Sequence, residues 1–250
     1  MKENLQTELD FINEAINMER CAKDLKHLSF VHVPKVYWNM SSKRILTAEF
    51  IDGVKVDDIE GIKKMGLDIA DVGKKMVRAF AEQIFHTGFV HADPHPGNVF
   101  VRKGKNNEAE IVLLDHGLYE YLPESNRLSL CKLWKSIILN DQKNMKKYCS
   151  QLGVKDYYLF CEILMQRPLN RNQLHIPNRL TDEEAKYMKK MAQEHFDSIM
   201  VVIRSLPLPM LLVFRMDSLR MYFTVLYLRI LVFLGRASEK SATQVIELLR

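Results

Sequence analysis

A chain of 250 residues, 47% of them hydrophobic, carries enough apolar material for one large domain or two lobes. Its formal net charge of +5 is a mild bias and its lysines are scattered, which argues against a nucleic-acid partner; an acidic membrane surface or a phosphate-bearing ligand suits that charge better. The cysteines, Cys21, Cys131, Cys149 and Cys161, form no Cys-x-x-Cys pair, so neither a zinc site nor a redox motif is indicated, and isolated reduced thiols in a reducing compartment are expected.

The opening Met-Lys-Glu-Asn-Leu-Gln-Thr-Glu is neither an apolar signal nor an Arg-rich, acid-poor transit peptide. Leu9, Ile12, Ile16, Ala22 and Leu25 recur at helical spacing and predict an amphipathic helix over about residues 7 to 28. Val33 to Trp38 and Arg44 to Phe50, joined by a polar turn, predict two antiparallel strands. Asp52-Gly53 ends the second strand, and a lobe boundary is expected there, dividing the chain into 1–53 and 54–250. Asp57 or Asp58 is placed to cap a short helix ending near Gly66. A longer helix follows with Ile69, Val72, Met76, Phe80 and Ile84 inward and Gly88 as its stop. A hairpin turning at Asn106-Asn107 comes next, and from Glu124 onward the pattern is helical. Leu128, Leu130, Leu133, Trp134 and Ile137 mark one helix, and Thr181-Asp-Glu-Glu is a capped start for another. Leu206 to Leu234 is rich in apolar residues, but Arg215, Asp217, Arg220 and Arg229 break it into runs far short of the roughly 20 apolar residues of a bilayer span. It reads as a helix buried in the protein, with docking at a membrane surface as the alternative.

The chemistry concentrates in Phe89-Val-His-Ala-Asp-Pro-His-Pro-Gly-Asn-Val-Phe-Val and in Ile111-Val-Leu-Leu-Asp-His-Gly. Asp93 and Asn98 precede one apolar run, and Asp115 and Gly117 follow the next. Two carboxylates and an amide at the ends of neighbouring strands are the layout of a phosphoryl-transfer site. Asp93 would orient an attacking hydroxyl or water and accept its proton. Asn98 and Asp115 offer the hard oxygens that magnesium prefers. Pro94, Pro96 and Gly97 would turn the loop, and Gly117 would let the backbone bend behind Asp115.

Two other readings compete. Asp-Pro and Pro-Gly-Asn are also plain turn chemistry, so each half alone is a weak signal. His91, Asp93, His95, Asp115 and His116 could instead form a transition-metal cluster of a phosphohydrolase, although Pro94 and Pro96 disfavour the extended strand that would align them. The ordered pair of loops, with a strand after one and before the other, favours the magnesium reading; His116 is then expected to pack or hydrogen-bond behind Asp115.

These motifs resemble the protein-kinase-like superfamily, and within it the UbiB or aarF-domain atypical kinases of the mitochondrial branch. His91-Ala-Asp-Pro-His-Pro-Gly-Asn98 is similar to that family's catalytic loop, and Leu114-Asp-His-Gly117 to its form of Asp-Phe-Gly. Glu8-Leu-Asp10-Phe-Ile-Asn-Glu14 resembles its Glu-x-Asp element and the start of the C helix. The likeness runs from about Thr7 to Leu212. It implies an α+β, protein-kinase-like fold: residues 1–53 a remnant of the small lobe, and 54–250 a large, mostly helical lobe. It further implies Mg2+ and ATP as cofactors, with Asn98 and Asp115 on the metal. Glu14 would pair with the lysine that holds the phosphates. Glu49 to Gly53 would form the hinge, with Glu49 and Ile51 offering backbone to adenine; Glu8 and Asp10 belong to the same nucleotide side.

The implied setting is mitochondrial, at a membrane, in lipid or coenzyme Q biology. A lipid or membrane surface is a candidate partner, nucleic acid is not, and no protein substrate is indicated. The family's phosphate-covering loop, strand lysine and Lys-x-Gly-Gln motif lie upstream of the Glu-x-Asp element, where this chain has seven residues. A truncated version of an active protein is therefore expected, with a catalytically inactive scaffold as the alternative.

Overall fold

The computed structural model describes residues 10–165, 168–169 and 181–194. Glu8 and the apolar segment 206–234 lie outside the described residues. Contacts divide the chain into two compact units, Met1–Tyr121 and Leu122–Arg250.

The first unit opens with helix α1, Phe11–Asp24. Asp10 caps it, its Oδ1 accepting the Ile12 N–H at 3.2 Å. The buried face is Ala15, Met18, Cys21 and, just past the end, Leu25, whereas Ile16 is 53% exposed. The apolar stripe expected through Ile16 and Ala22 is therefore rotated. Beside the buried Met18 and Leu25, the inward side also brings Glu14 and Asn17 to backbone of the His116 turn. Ala15 and Met18 pack with Val36, backed by Val33, Leu46 and Ala48.

The two antiparallel strands expected between Val33 and Phe50 form only an irregular hairpin. Its pairing is limited to the bridges Val36↔Ala48 and Ser42↔Ile45, and Trp38–Met40 is a 3-10 turn. Side chains replace ladder bonds here: the Ser41 hydroxyl accepts the Thr47 N–H, and the Thr47 hydroxyl donates to the Met40 carbonyl. The hairpin's regular part survives as Tyr37 N–H to Thr47 C=O and Glu49 N–H to Lys35 C=O.

The main sheet has the order β1-β5-β4-β2, with β1 Val31–His32, β2 Val54–Lys55, β4 Val99–Lys103 and β5 Ala109–Leu113. Its centre is the β4–β5 hairpin, antiparallel from Val99↔Leu113 to Lys103↔Ala109. Val99, Val101, Ile111 and Leu113 are all buried, and Arg102 opposite Glu110 forms an ion pair. β1 joins β5 in parallel, and β2 joins β4 antiparallel. A second, two-stranded sheet pairs β3, Phe89–His91, with β6, Tyr119–Tyr121.

Between β2 and β3 lie α2, Ile59–Lys64, and α3, Ile69–Ala81, which continues as a wider turn over Glu82–Thr87. Asp58 and Asp68 cap these helices through the Gly61 and Ala70 N–H groups. Gly88 ends the run at φ 67°, the left-handed conformation glycine adopts without penalty. Val72, Met76, Val77 and Phe80 are the buried face of α3, as the periodicity predicts.

In the second unit α4, Glu124–Ile138, packs on α5, Gln142–Gln151, and α5 on α6, Tyr157–Met165. Helix α7, Asp182–Glu194, starts with a capping box in which the Thr181 hydroxyl accepts the Glu184 N–H and Glu184 accepts the Thr181 N–H. All four cysteines are free and buried. Among the described residues no helix is long and apolar enough to cross a membrane.

Among the described residues of the second unit, one carboxylate is buried. Glu162 is 2% exposed and accepts from the Leu169 N–H and the Tyr187 hydroxyl. Burial outweighs those bonds and raises its pKa above the ordinary value of 4.5. The folded state then holds the proton to higher pH than the unfolded state. Its contribution to stability is full below the ordinary carboxylate pKa and is lost as pH climbs through the folded one. Glu162→Gln keeps an acceptor for both donors without a charge to bury. The variant should gain melting temperature over the parent at pH 7.5 and lose that advantage at pH 4; an equal difference at both pH values would contradict the assignment.

Candidate active site

Hairpin register builds the site. Leu114 N–H donates to the Asn98 carbonyl at 2.8 Å, extending the β4–β5 ladder one step beyond Val99↔Leu113. Asn98 and Asp115 therefore sit beside each other at the same end of two paired strands. Asn98 Nδ2 lies 3.3 Å from Asp115 Oδ2 and also donates to the Asp93 carbonyl at 3.1 Å. With both amide hydrogens directed at oxygen, the side-chain oxygen of Asn98 is the end left for a cation.

The loop before Asn98 is shaped by its own side chains. Pro96–Asn98 is a 3-10 turn that His95 caps, its Nδ1 accepting the Gly97 N–H at 2.9 Å. A Cβ on Gly97 would sit 2.6 Å from the His95 ring, so a side chain there would push the capping imidazole aside. His91 is buried, and its Nδ1 accepts the Asp93 N–H at 3.1 Å while Nε2 donates to the Leu114 carbonyl at 3.3 Å. One imidazole thus ties the Asp93 loop to the strand that leads into Asp115. Burial lowers its pKa, against the pull of the Leu114 carbonyl and of Asp115 and Asp93, so the ring is neutral and this tautomer holds.

The turn after β5 differs from the expectation placed on Gly117. The left-handed residue is Asp115, at φ 54°. Aspartate tolerates that region because its side chain bonds locally, here with Oδ1 accepting the Gly117 N–H at 3.3 Å. Gly117 is held neither by a left-handed angle nor by close approach: a Cβ there would meet Asp115 Oδ1 at 3.4 Å and Glu14 Oε2 at 3.9 Å, ordinary contact distances.

Behind the turn His116 is fully buried. Its Nε2 donates to the Leu113 carbonyl at 2.9 Å, and its Nδ1 accepts from the Tyr119 hydroxyl at 2.9 Å. Burial, and then the neighbouring His91, push its pKa down to about 3, so it stays neutral and the proton order is fixed. Tyr119 must donate to His116, and its hydroxyl also lies beside the Cys21 thiol of α1. Burial raises that thiol to about 12.

Helix α1 reaches the same turn. Glu14 Oε1 accepts the His116 N–H at 3.1 Å, and Asn17 Nδ2 donates to the His116 carbonyl at 2.9 Å. Burial raises the Glu14 pKa, the His116 bond opposes that, and Asp115 adds to it. Arg20 stacks its guanidinium over Phe89 at 4.1 Å, joining α1 to the β3–β6 sheet.

Asp93, Asn98, Asp115 and Glu14 are thus brought together. Asp10 serves as the cap of α1 and pairs with Lys43 at 3.7 Å. Glu49 lies apart from the Asp115 turn in an ion-pair set at the main sheet. It binds His32 at 2.8 Å, accepts the Lys35 N–H at 3.2 Å, and faces Arg102 at 3.6 Å. Burial raises its pKa, but the His32 and Lys35 bonds and the nearby Arg102 guanidinium outweigh burial and lower it. Ile51 is half-buried in the irregular segment between that hairpin and β2.

The histidine-metal reading finds no support. His91 and His116 use both ring nitrogens on the protein, and no group of three or more His, Cys, Asp or Glu among the described residues is arranged to hold a metal. Gln83, Asn17 and Tyr119 went unnoticed in the sequence. Gln83 Oε1 accepts the His91 N–H at 2.9 Å from a buried position on the wider turn. Asn17 could have been found, since it lies one helical turn from Glu14.

Tyr119→Phe removes the hydroxyl that links Cys21 to His116 and leaves the buried Nδ1 without its donor. We expect a loss of about 1–3 kcal/mol in chemical denaturation. A midpoint equal to that of the parent would contradict the proton order given above.

Comparison with known proteins agrees with this geometry. The ABC1 atypical kinase-like domain matches residues 1–149. The probable serine/threonine-protein kinase abkD of Dictyostelium discoideum is 40% identical over 221 residues, covering 88% of this chain and 32% of that protein. AarF domain-containing protein kinase 1 of Gallus gallus is 39% identical over 223 residues, covering 87% and 43%. The Drosophila melanogaster AarF domain-containing kinase 1 is 45% identical over 169 residues, covering 67% and 33%. This chain spans less than half the length of these curated relatives. Among solved structures, the Rv3197–erythromycin complex from Mycobacterium tuberculosis superposes with a TM-score of 0.53 at 16% identity, over 90% of this chain and 55% of that one, a likeness of fold. The loop motifs alone suggest member five of the aarF kinases, and the match stands at the level of the family. With the two loops, the helix that grips them and a domain match over residues 1–149, the chain belongs to the ABC1 atypical kinase-like family, the UbiB or aarF-domain kinases, and has their α+β, kinase-like fold.

Proposed function

We propose that this chain carries the phosphoryl-transfer site of an ATP-dependent kinase or ATPase of the UbiB type. The observation that supports the reading most is the convergence of Asn98, Asp115 and the Asp93 loop, joined through one amide nitrogen at 3.1 and 3.3 Å. The donor set fits magnesium: one carboxylate exposed on the turn and one amide oxygen, both hard ligands that leave room for water and phosphate oxygens. Mg2+ bound there would neutralise charge on the nucleotide phosphates during transfer.

The remaining roles belong to the chain's own residues. Asp93 orients the attacking hydroxyl or water and takes its proton on a carboxylate oxygen. His91 holds the Asp93 backbone in place from a buried neutral ring. Glu14 holds the turn that presents Asp115, and the segment from Glu49 to Ile51 offers backbone to the adenine. The name of abkD speaks for transfer to serine or threonine in that protein. By resemblance we place the activity in mitochondria, at a lipid or membrane surface, in lipid or coenzyme Q biology.

Asp115→Ala should abolish magnesium-dependent nucleotide binding while the circular dichroism spectrum is retained. Unchanged binding would contradict the assignment of Asp115 to the metal. Asp93→Asn should keep nucleotide affinity within about twofold and lower turnover by at least about 100-fold, the range a positioned base supplies. Turnover equal to the parent would remove Asp93 from that role.

A further inference from the structure

Glu14 and Asn17 hold opposite sides of one residue. The His116 N–H goes to Glu14 at 3.1 Å and the His116 carbonyl to Asn17 Nδ2 at 2.9 Å. That carbonyl belongs to the peptide linking His116 to Gly117. The same rigid plane carries the Gly117 N–H, which donates to Asp115 Oδ1 at 3.3 Å. Asn17 therefore fixes one end of a planar unit whose other end orients the Asp115 carboxylate. The second carboxylate oxygen, Oδ2, faces Asn98 at 3.3 Å.

Without a hold on the carbonyl, this peptide can turn over, because the residue after it is glycine and accepts the backbone angles that result. Turning it would take the Gly117 N–H away from Asp115 Oδ1 and release a residue already held in the left-handed region at φ 54°. The Glu14 bond cannot prevent this, since it acts on the preceding peptide.

We propose that Asn17 is a positioning residue for the divalent cation: by locking the His116–Gly117 peptide it holds the Asp115 carboxylate in the orientation that binds metal. The proposal rests on the reading of Asn98 and Asp115 as metal ligands. It adds a residue of α1 that contacts neither the cation nor the nucleotide and acts through backbone.

The test is titration of Mn2+, with ADP present, followed by the electron paramagnetic resonance signal of the free ion. Wild type, Asn17→Leu, Asn17→Gln and Asp115→Ala are compared, together with hydrogen exchange of the Gly117 amide without metal. Wild type should bind Mn2+ and Asp115→Ala should not. Asn17→Leu should bind about tenfold more weakly, in line with the loss of an outer partner of a metal ligand, and its Gly117 amide should exchange faster. Asn17→Gln retains the donor and should recover most of the affinity. Should the leucine variant fail to fold, Asn17→Ala removes the donor with less bulk and is expected to behave alike. Wild-type Mn2+ affinity in Asn17→Leu, with Asp115→Ala still inactive in binding, would overturn the proposal and leave the metal reading standing. Weakened binding with unchanged Gly117 exchange and no recovery in Asn17→Gln would also overturn it, by marking the effect as general destabilisation. Equal Mn2+ binding by wild type and Asp115→Ala would overturn the metal reading and the proposal with it.

Discussion

The register of one hairpin governs the candidate site. Because Val99 faces Leu113 and Leu114 N–H reaches the Asn98 carbonyl, the amide of Asn98 and the carboxylate of Asp115 leave the sheet at the same edge. A slip of one residue would turn Val99, Val101, Ile111 and Leu113 out of the core and separate the two polar side chains at the same time. The buried face and the chemistry are thus fixed by a single choice of pairing. Arg102 opposite Glu110 reinforces it from the other face.

Around that hairpin the structure directs buried and half-buried polar groups at backbone. His91, His116, Gln83, Glu14 and Asn17 each bond a main-chain N–H or carbonyl of the two loops or of the strands leading into them. Buried neutral imidazoles suit this task, since each donates with one nitrogen and accepts with the other, and their depressed pKa values keep that arrangement at neutral pH. Asp115 itself remains exposed at the tip. A rigid interior with an open carboxylate is the condition for binding a cation without reorganising the loop.

Much of this was legible in the sequence. The two strands of the hairpin, the helix caps at Asp58 and Thr181, the stop at Gly88 and the proximity of Asn98 to Asp115 all follow from local patterns that the fold leaves intact. What was illegible depends on long-range pairing. Phe89–His91 pairs with Tyr119–Tyr121 across 30 residues, and neither segment is long enough to show alternation. The strands expected over Val33 to Phe50 became an irregular hairpin because Ser41 and Thr47 bond the backbone with their side chains. The helical spacing of Ile12, Ile16, Ala22 and Leu25 marks helix α1, yet Ile16 faces out, and Glu14 and Asn17 bond the His116 backbone. An amphipathic pattern identifies a helix well and its functional face poorly when that face meets backbone.

The central claim is that Asn98 and Asp115 share one divalent cation. Crystals of the protein soaked with Mn2+ and a non-hydrolysable ATP analogue test it most directly, by the anomalous signal of manganese. The account predicts one peak bonded to the Asn98 side-chain oxygen and the Asp115 carboxylate, with the nucleotide phosphates completing its shell. Manganese bound elsewhere, with Asp115 still facing only Asn98 and Gly117, would contradict it.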